Sequence, residues 1–162
     1  MRALRAGGIV AGTMRVRSLC AALVAASILP VAAGATPRPF TGPANWDHSV
    51  AASSEGSTTH SELWKNGDGE TLTLLSTSAL NYDDVIVAIH KNVATLHPSV
   101  DRDLTCSGRR AHEIEIAYTS MVTRQLIVDD VPCVTRLTLI HPADKPATTD
   151  VMAALQAYCG QG

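Results

Sequence analysis

The sequence predicts an α+β domain, a mainly antiparallel sheet in the order ββ-α-ββββ-α with helices packed on it. Three observations lead there. Asn81 to Pro98 has the period of an amphipathic helix. The stretches on either side alternate like strands, joined by short turn-rich links that suit hairpins. The 162 residues show no internal repeat and are enough for one domain, not comfortably two.

Residues 1–35 stand apart from that domain. Arg2, Arg5, Arg15 and Arg17 precede an apolar run from Leu19 to Ala33, followed by the small residues Ala33-Gly34-Ala35. This is the three-part layout of a secretory signal peptide, with cleavage expected before Thr36. The apolar run is too short and too poorly flanked for a typical spanning helix. Met14 opens a more compact version of the same signal, and a start there leaves the mature chain unchanged. Cys20 stands at the start of the apolar run, where a lipidated cysteine would follow its end, so lipidation is not expected. An exported chain, periplasmic or extracellular, follows.

Removing residues 1–35 takes four of the thirteen basic residues and no acid, leaving nine against fifteen and a formal charge of −6. An acidic domain lacks the electrostatic footprint for phosphate backbones or anionic membranes. Nucleic acid is not an expected partner, nor is stable membrane insertion once the signal is gone. One Phe, two Trp and three Tyr make a thin platform for stacking bases or sugars.

Residues 36–58 are rich in Pro, Ser, Gly and Ala and read as a flexible leader to the domain of residues 59–162, with Phe40 and Trp46 as the groups that would dock it. Ser61 to Lys65 is a short strand. Asn66-Gly67-Asp68-Gly69 is a hairpin turn, since both dipeptides tolerate positive φ, and Glu70 to Ser78 is the returning strand. The same residues resemble part of a calcium loop, but with Gly69 at the sixth position Trp64 and Leu75 occupy the first and twelfth, where carboxylates are needed. The turn reading stands.

In the helix, Tyr82, Val85, Ile86, Ile89, Val93 and Leu96 fall on one stripe. Asn81 can cap it, Asp83 and Asp84 complement its dipole, and Pro98 stops it. Asp103 to Ser107 and His112 to Tyr118 are the next strands, around a turn at Gly108. In the second, His112, Ile114, Ile116 and Tyr118 share one face, expected to be buried. Glu113, Glu115 and Ala117 share the other, expected to be wet. Val122 to Val128 and Cys133 to Ile140 follow, joined through Asp129-Asp130-Val131-Pro132. The second face of the last strand is half apolar, which suggests cover on both sides. A final helix starts at Thr148 or Thr149, buries Val151, Leu155 and Tyr158, and ends at Gly160.

This order resembles the PsbP/Mog1-like α/β/α sandwich, and a loose group of small exported bacterial proteins with a Trp-containing first strand, a "C-x-G" hairpin and a last helix ending in Cys. Here those residues are Trp64, Cys106-Ser107-Gly108 and Tyr158-Cys159. The likeness covers about residues 60 to 160, and the chain departs from it in carrying Cys133. It implies domains that mostly bind or scaffold, and fold alone does not give a function.

The mature chain has three cysteines, Cys106, Cys133 and Cys159. In an oxidising compartment this odd count suggests one disulfide plus a third cysteine outside it. Three pairings are open. Cys106–Cys159 is favoured because it staples the last helix to the sheet and closes a long loop, leaving Cys133 as a small buried apolar residue. A redox role for the Cys133 thiol is a further reading.

Candidate chemistry is sparse. His90 and His97 lie on one edge of the central helix, but seven residues span about 10.5 Å, too far to share one metal easily. Both read as solvated. His112-Glu113 begins like a zinc-protease motif yet sits on a strand with no second histidine four residues on. His141 reads as a turn residue. Glu113 and Glu115 project from one strand face about 6.7 Å apart, a pair suited to glycoside chemistry but commoner as a solvated acidic face. No G-x-S-x-G elbow and no glycine-rich phosphate loop occurs. Arg102, Arg109 and Arg110 form the one positive cluster. No catalytic, cofactor-binding or metal-ligating residue is assigned, and Arg109, Arg110 and His112 are the candidate ligand contacts.

The expected function is therefore a non-enzymatic binding or scaffold module that takes a protein or a small ligand through one face or edge of its sheet. The alternative is a small metal-dependent or hydrolytic enzyme using His112 with Glu113 or Glu115.

Overall fold

The structure is a computed structural model that describes residues 38–52 and 56–160. The expected signal segment, residues 1–35, lies outside these, as do residues 36, 37 and 53–55 of the leader. Seven strands and two helices follow in the order β1(Asp47–Val50), β2(Thr59–Lys65), β3(Thr71–Thr77), α1(Tyr82–Val93), β4(Val100–Cys106), β5(Arg109–Ala117), β6(Met121–Asp130), β7(Cys133–Pro142) and α2(Thr149–Cys159). The chain is α+β, as its sequence predicts. All pairings are antiparallel, in one open sheet of order β1-β2-β3-β7-β6-β5-β4.

The topology is two meanders, β1-β2-β3 and β4-β5-β6-β7, joined where β3 meets β7. Helix α1 connects β3 to the far edge strand β4 and packs on one face, where Tyr82, Ile89 and Val93 meet Ile114, Ile116, Ile127 and Val134. Helix α2 covers the other face, where Val151 and Tyr158 join Trp64, Leu72, Leu74, Leu126, Val128, Leu137 and Leu139. Strands buried on both sides account for the apolar second face of β7.

Four expectations change. The leader is not wholly outside the sheet, because Asp47–Val50 pairs with β2 as an edge strand and raises the strand count from six to seven. Phe40 does dock, edge-on to Trp64 at 5.1 Å and to Tyr158 at 5.6 Å. Helix α1 ends at Val93, short of Pro98. A residue before proline is driven out of the helical region, and His97 takes φ +48°, which leaves Leu96 exposed. The two faces of β5 are less distinct than expected: Glu113 is buried and Glu115 half-buried, whereas Tyr118 lies beyond the strand and is exposed. His141 belongs to β7 rather than to a turn.

Local chemistry explains the ends of the elements. Asn81 Oδ1 accepts from the Asp83 N–H at 2.9 Å, the N-cap expected for α1. In the β2–β3 turn, Asn66 Oδ1 accepts from the N–H groups of Asp68 and Glu70, and Gly69 takes φ +85°. The N-terminus of α2 is satisfied from outside. Thr148 makes no side-chain cap of its own. Its N–H and hydroxyl instead donate to the buried Glu70 carboxylate, each at 2.8 Å, placing an anion at the positive end of the helix. The expected disulfide, Cys106–Cys159, is present and ties the end of β4 to the end of α2. Cys133 is buried at the start of β7.

Candidate functional site

The chemically distinctive region lies on the α1 face, at the β4 end of the sheet. The antiparallel register sets Asp103 opposite His112 and Asp101 opposite Ile114. Because side chains alternate, Asp101, Asp103 and His112 all face α1, and the His112 ring lies between the two carboxylates. Its Nδ1 is hydrogen-bonded to Asp103 Oδ1 at 2.9 Å. Its Nε2 lies 3.0 Å from Asp101 Oδ1, but out of line, so this nitrogen has no hydrogen-bond partner. The residue is only 3% exposed.

The helix supplies a third group. His90, one turn beyond Ile86, reaches down so that its Nε2 lies 3.2 Å from the same Asp101 Oδ1. The two imidazoles meet edge to face at 5.0 Å between centroids. Ligand-type atoms of His90, Asp101 and His112 all lie within 4.8 Å of one another. Helix periodicity puts His97, not a strand residue, beside His90. The actual neighbours of His90 come from strands 11 and 22 residues away, which helix periodicity does not reveal.

Next to this cluster an open cleft of about 520 Å³ runs between α1 and the β4–β5 hairpin. Tyr82, Asp83, Ile86 and Val87 form its helix wall, and Asp103, Thr105, Arg109 and Arg110 line the hairpin side. Asp103 thus belongs to both features.

The remaining candidates are already partnered. Arg109 pairs with the buried Asp130, whose other oxygen accepts from the Tyr158 hydroxyl. Arg110 donates to Asp129 at 2.8 Å and to Asp83 at 3.0 Å, and stacks over Tyr82. Hydrogen bonding to Asp129, then to Asp83, holds its guanidinium in the charged form. Both guanidiniums are thus paired with aspartates while lining the cleft.

Glu113 and Glu115 project from the opposite face of β5 to His112, so the pairing of His112 with these carboxylates does not form. Glu113 sits between Arg102 and Arg124, accepting from Arg102 Nε at 2.8 Å and Arg124 Nε at 2.7 Å. Burial alone would raise its pKa, and the two arginines reverse this and leave it lowered. Glu115 accepts from the Ser99 hydroxyl at 3.0 Å. Glu113, held charged between two arginines, is not poised as a proton donor for a glycosidic bond.

Elsewhere, His48 and His60 flank Glu62, with their Nε2 atoms 2.7 Å from its two separate oxygens. His48 also stacks on Trp64. No protein-family model matches the chain, and no curated protein matches it.

Proposed function

We propose that this chain is an exported, non-enzymatic binding module whose working surface is the α1 face at the β4 edge. The observation behind this reading is the open cleft between α1 and the β4–β5 hairpin, beside a buried histidine with one unsatisfied nitrogen. The charged groups around it are otherwise mutually paired. The occupant is a small ligand rather than nucleic acid, since the arginines in reach are neutralised by aspartates. The disulfide agrees with an oxidising compartment, periplasmic or extracellular.

A second reading, a small metal-dependent hydrolase, rests on Asp103, which holds the His112 ring by Nδ1 as an orienting carboxylate does in many catalytic sites. Native mass spectrometry of protein purified from its exporting host, before and after denaturation, tests the binding reading. The expected result is an extra mass lost on denaturation and absent from Val87→Arg, which fills the cleft from an exposed helix position. A bare mass for the unsubstituted protein in repeated preparations contradicts it.

A further inference from the structure

We infer that His90, Asp101 and His112 form a binding site for a divalent transition ion of the zinc and copper group. The inference deepens the binding reading by naming a ligand for that surface, and it rests on that reading for its biological meaning.

The first argument is the unsatisfied nitrogen. A buried polar atom without a partner destabilises the fold, and such atoms in native folds commonly mark a bound water or ion. His112 Nε2 is one, and ligand atoms of His90 and Asp101 lie within 4.8 Å of His112. Arg38 Nη1 and Gln125 Oε1 are also unpartnered, but among the described residues no comparable donor set surrounds them.

The second argument is geometry. Bonds of 2.0–2.1 Å at tetrahedral angles place neighbouring donors about 3.3 Å apart. Both nitrogen-to-Asp101 separations, 3.0 and 3.2 Å, are close to that edge length. The convergence of two imidazole nitrogens on one carboxylate oxygen is the arrangement that a shared cation would organise.

Third, the supporting shell is in place. A metal-bound histidine usually donates its other N–H to a carboxylate, which sets the tautomer and the ring orientation. Asp103 occupies that position on His112 Nδ1. Two imidazoles and one carboxylate favour zinc or copper over the oxygen-seeking calcium and magnesium. His90 and Asp101 are exposed on their outer sides, so the remaining coordination positions face solvent.

The test is calorimetric titration of the full chain, purified without a histidine tag and stripped by chelator, with zinc alone and then copper alone. One equivalent is expected to bind. His90→Ala, an exposed substitution that leaves the core intact, is expected to weaken binding by at least about tenfold, and His112→Ala likewise. Asp103→Asn is expected to cost about ten- to a hundredfold. The double variant His48→Ala/His60→Ala controls for the imidazoles around Glu62 and is expected to bind normally. Absence of saturable binding overturns the proposal, as does binding that survives His90→Ala and is lost in the double variant. A cleft-dependent mass in a chain that does not bind zinc or copper would overturn the metal site while leaving the binding reading intact.

Discussion

His112 Nε2 stands 3.0 Å from the Asp101 carboxylate without a hydrogen bond to it. The contact joins a fully covered core position on β5 to the edge strand β4. A histidine that only filled the core would be expected to have both nitrogens satisfied. Here one is held by Asp103 and the other faces His90 and Asp101, so the ring looks out from the core toward a solvent-facing cluster.

If that cluster takes a metal, the fold gains stability with it. A ligand at a hundred times its Kd stabilises the native state by about 2.7 kcal/mol. Thermal unfolding followed by circular dichroism is therefore expected to shift upward by several degrees with excess zinc, and to return with EDTA. The shift should fall to about half or less in His90→Ala.

Glu113 contributes to stability with a defined pH dependence. Its folded pKa is lowered, so its contribution is present above the ordinary glutamate value of about 4.3 and is lost as pH falls through the folded value. Glu113→Gln should destabilise the protein by about 1–3 kcal/mol at neutral pH and flatten the loss of stability below about pH 4. Urea melts at several pH values check this, and parallel profiles for the two proteins would contradict it.

The Cys106–Cys159 bridge spans 53 residues. Chain entropy assigns a loop of that size about 4 kcal/mol. The double variant Cys106→Ser/Cys159→Ser should lose stability of that order, read by urea denaturation, through release of α2 from β4. A loss below about 1 kcal/mol would show that packing of Val151 and Tyr158 holds the helix unaided.

Gly42 lies against the Trp64 ring, and a Cβ there would overlap the indole Nε1. Gly42→Ala should push the leader off Trp64, costing about 1–3 kcal/mol. In a Trp46→Phe background the emission of Trp64 should move to the red. An unchanged spectrum would mean that the contact is dispensable.

Much of the fold was legible because it depends on local rules. The Asn81 cap, the Asn66–Gly69 turn, the alternation along β5 and the Gly160 stop are each set by a few adjacent residues. Edge strand β1 was not legible, because Asp47–Val50 has no apolar alternation of its own and becomes a strand only by pairing with β2. The candidate site was hidden for a similar reason. Asp101 and Asp103 share one face of β4 by simple alternation, and this was the available signal. What joins them to His112 is the β4–β5 register, and what adds His90 is the packing of α1, both of them long-range. The early end of α1 then removes His97 from the column in which the sequence placed it.

The most direct measurement is anomalous diffraction at the zinc absorption edge from crystals grown with one equivalent of zinc. The account predicts one peak, within bonding distance of His90 Nε2, His112 Nε2 and an Asp101 oxygen, with Asp103 still on His112 Nδ1. A peak at Glu62 between His48 and His60, or no peak in this region, would contradict it.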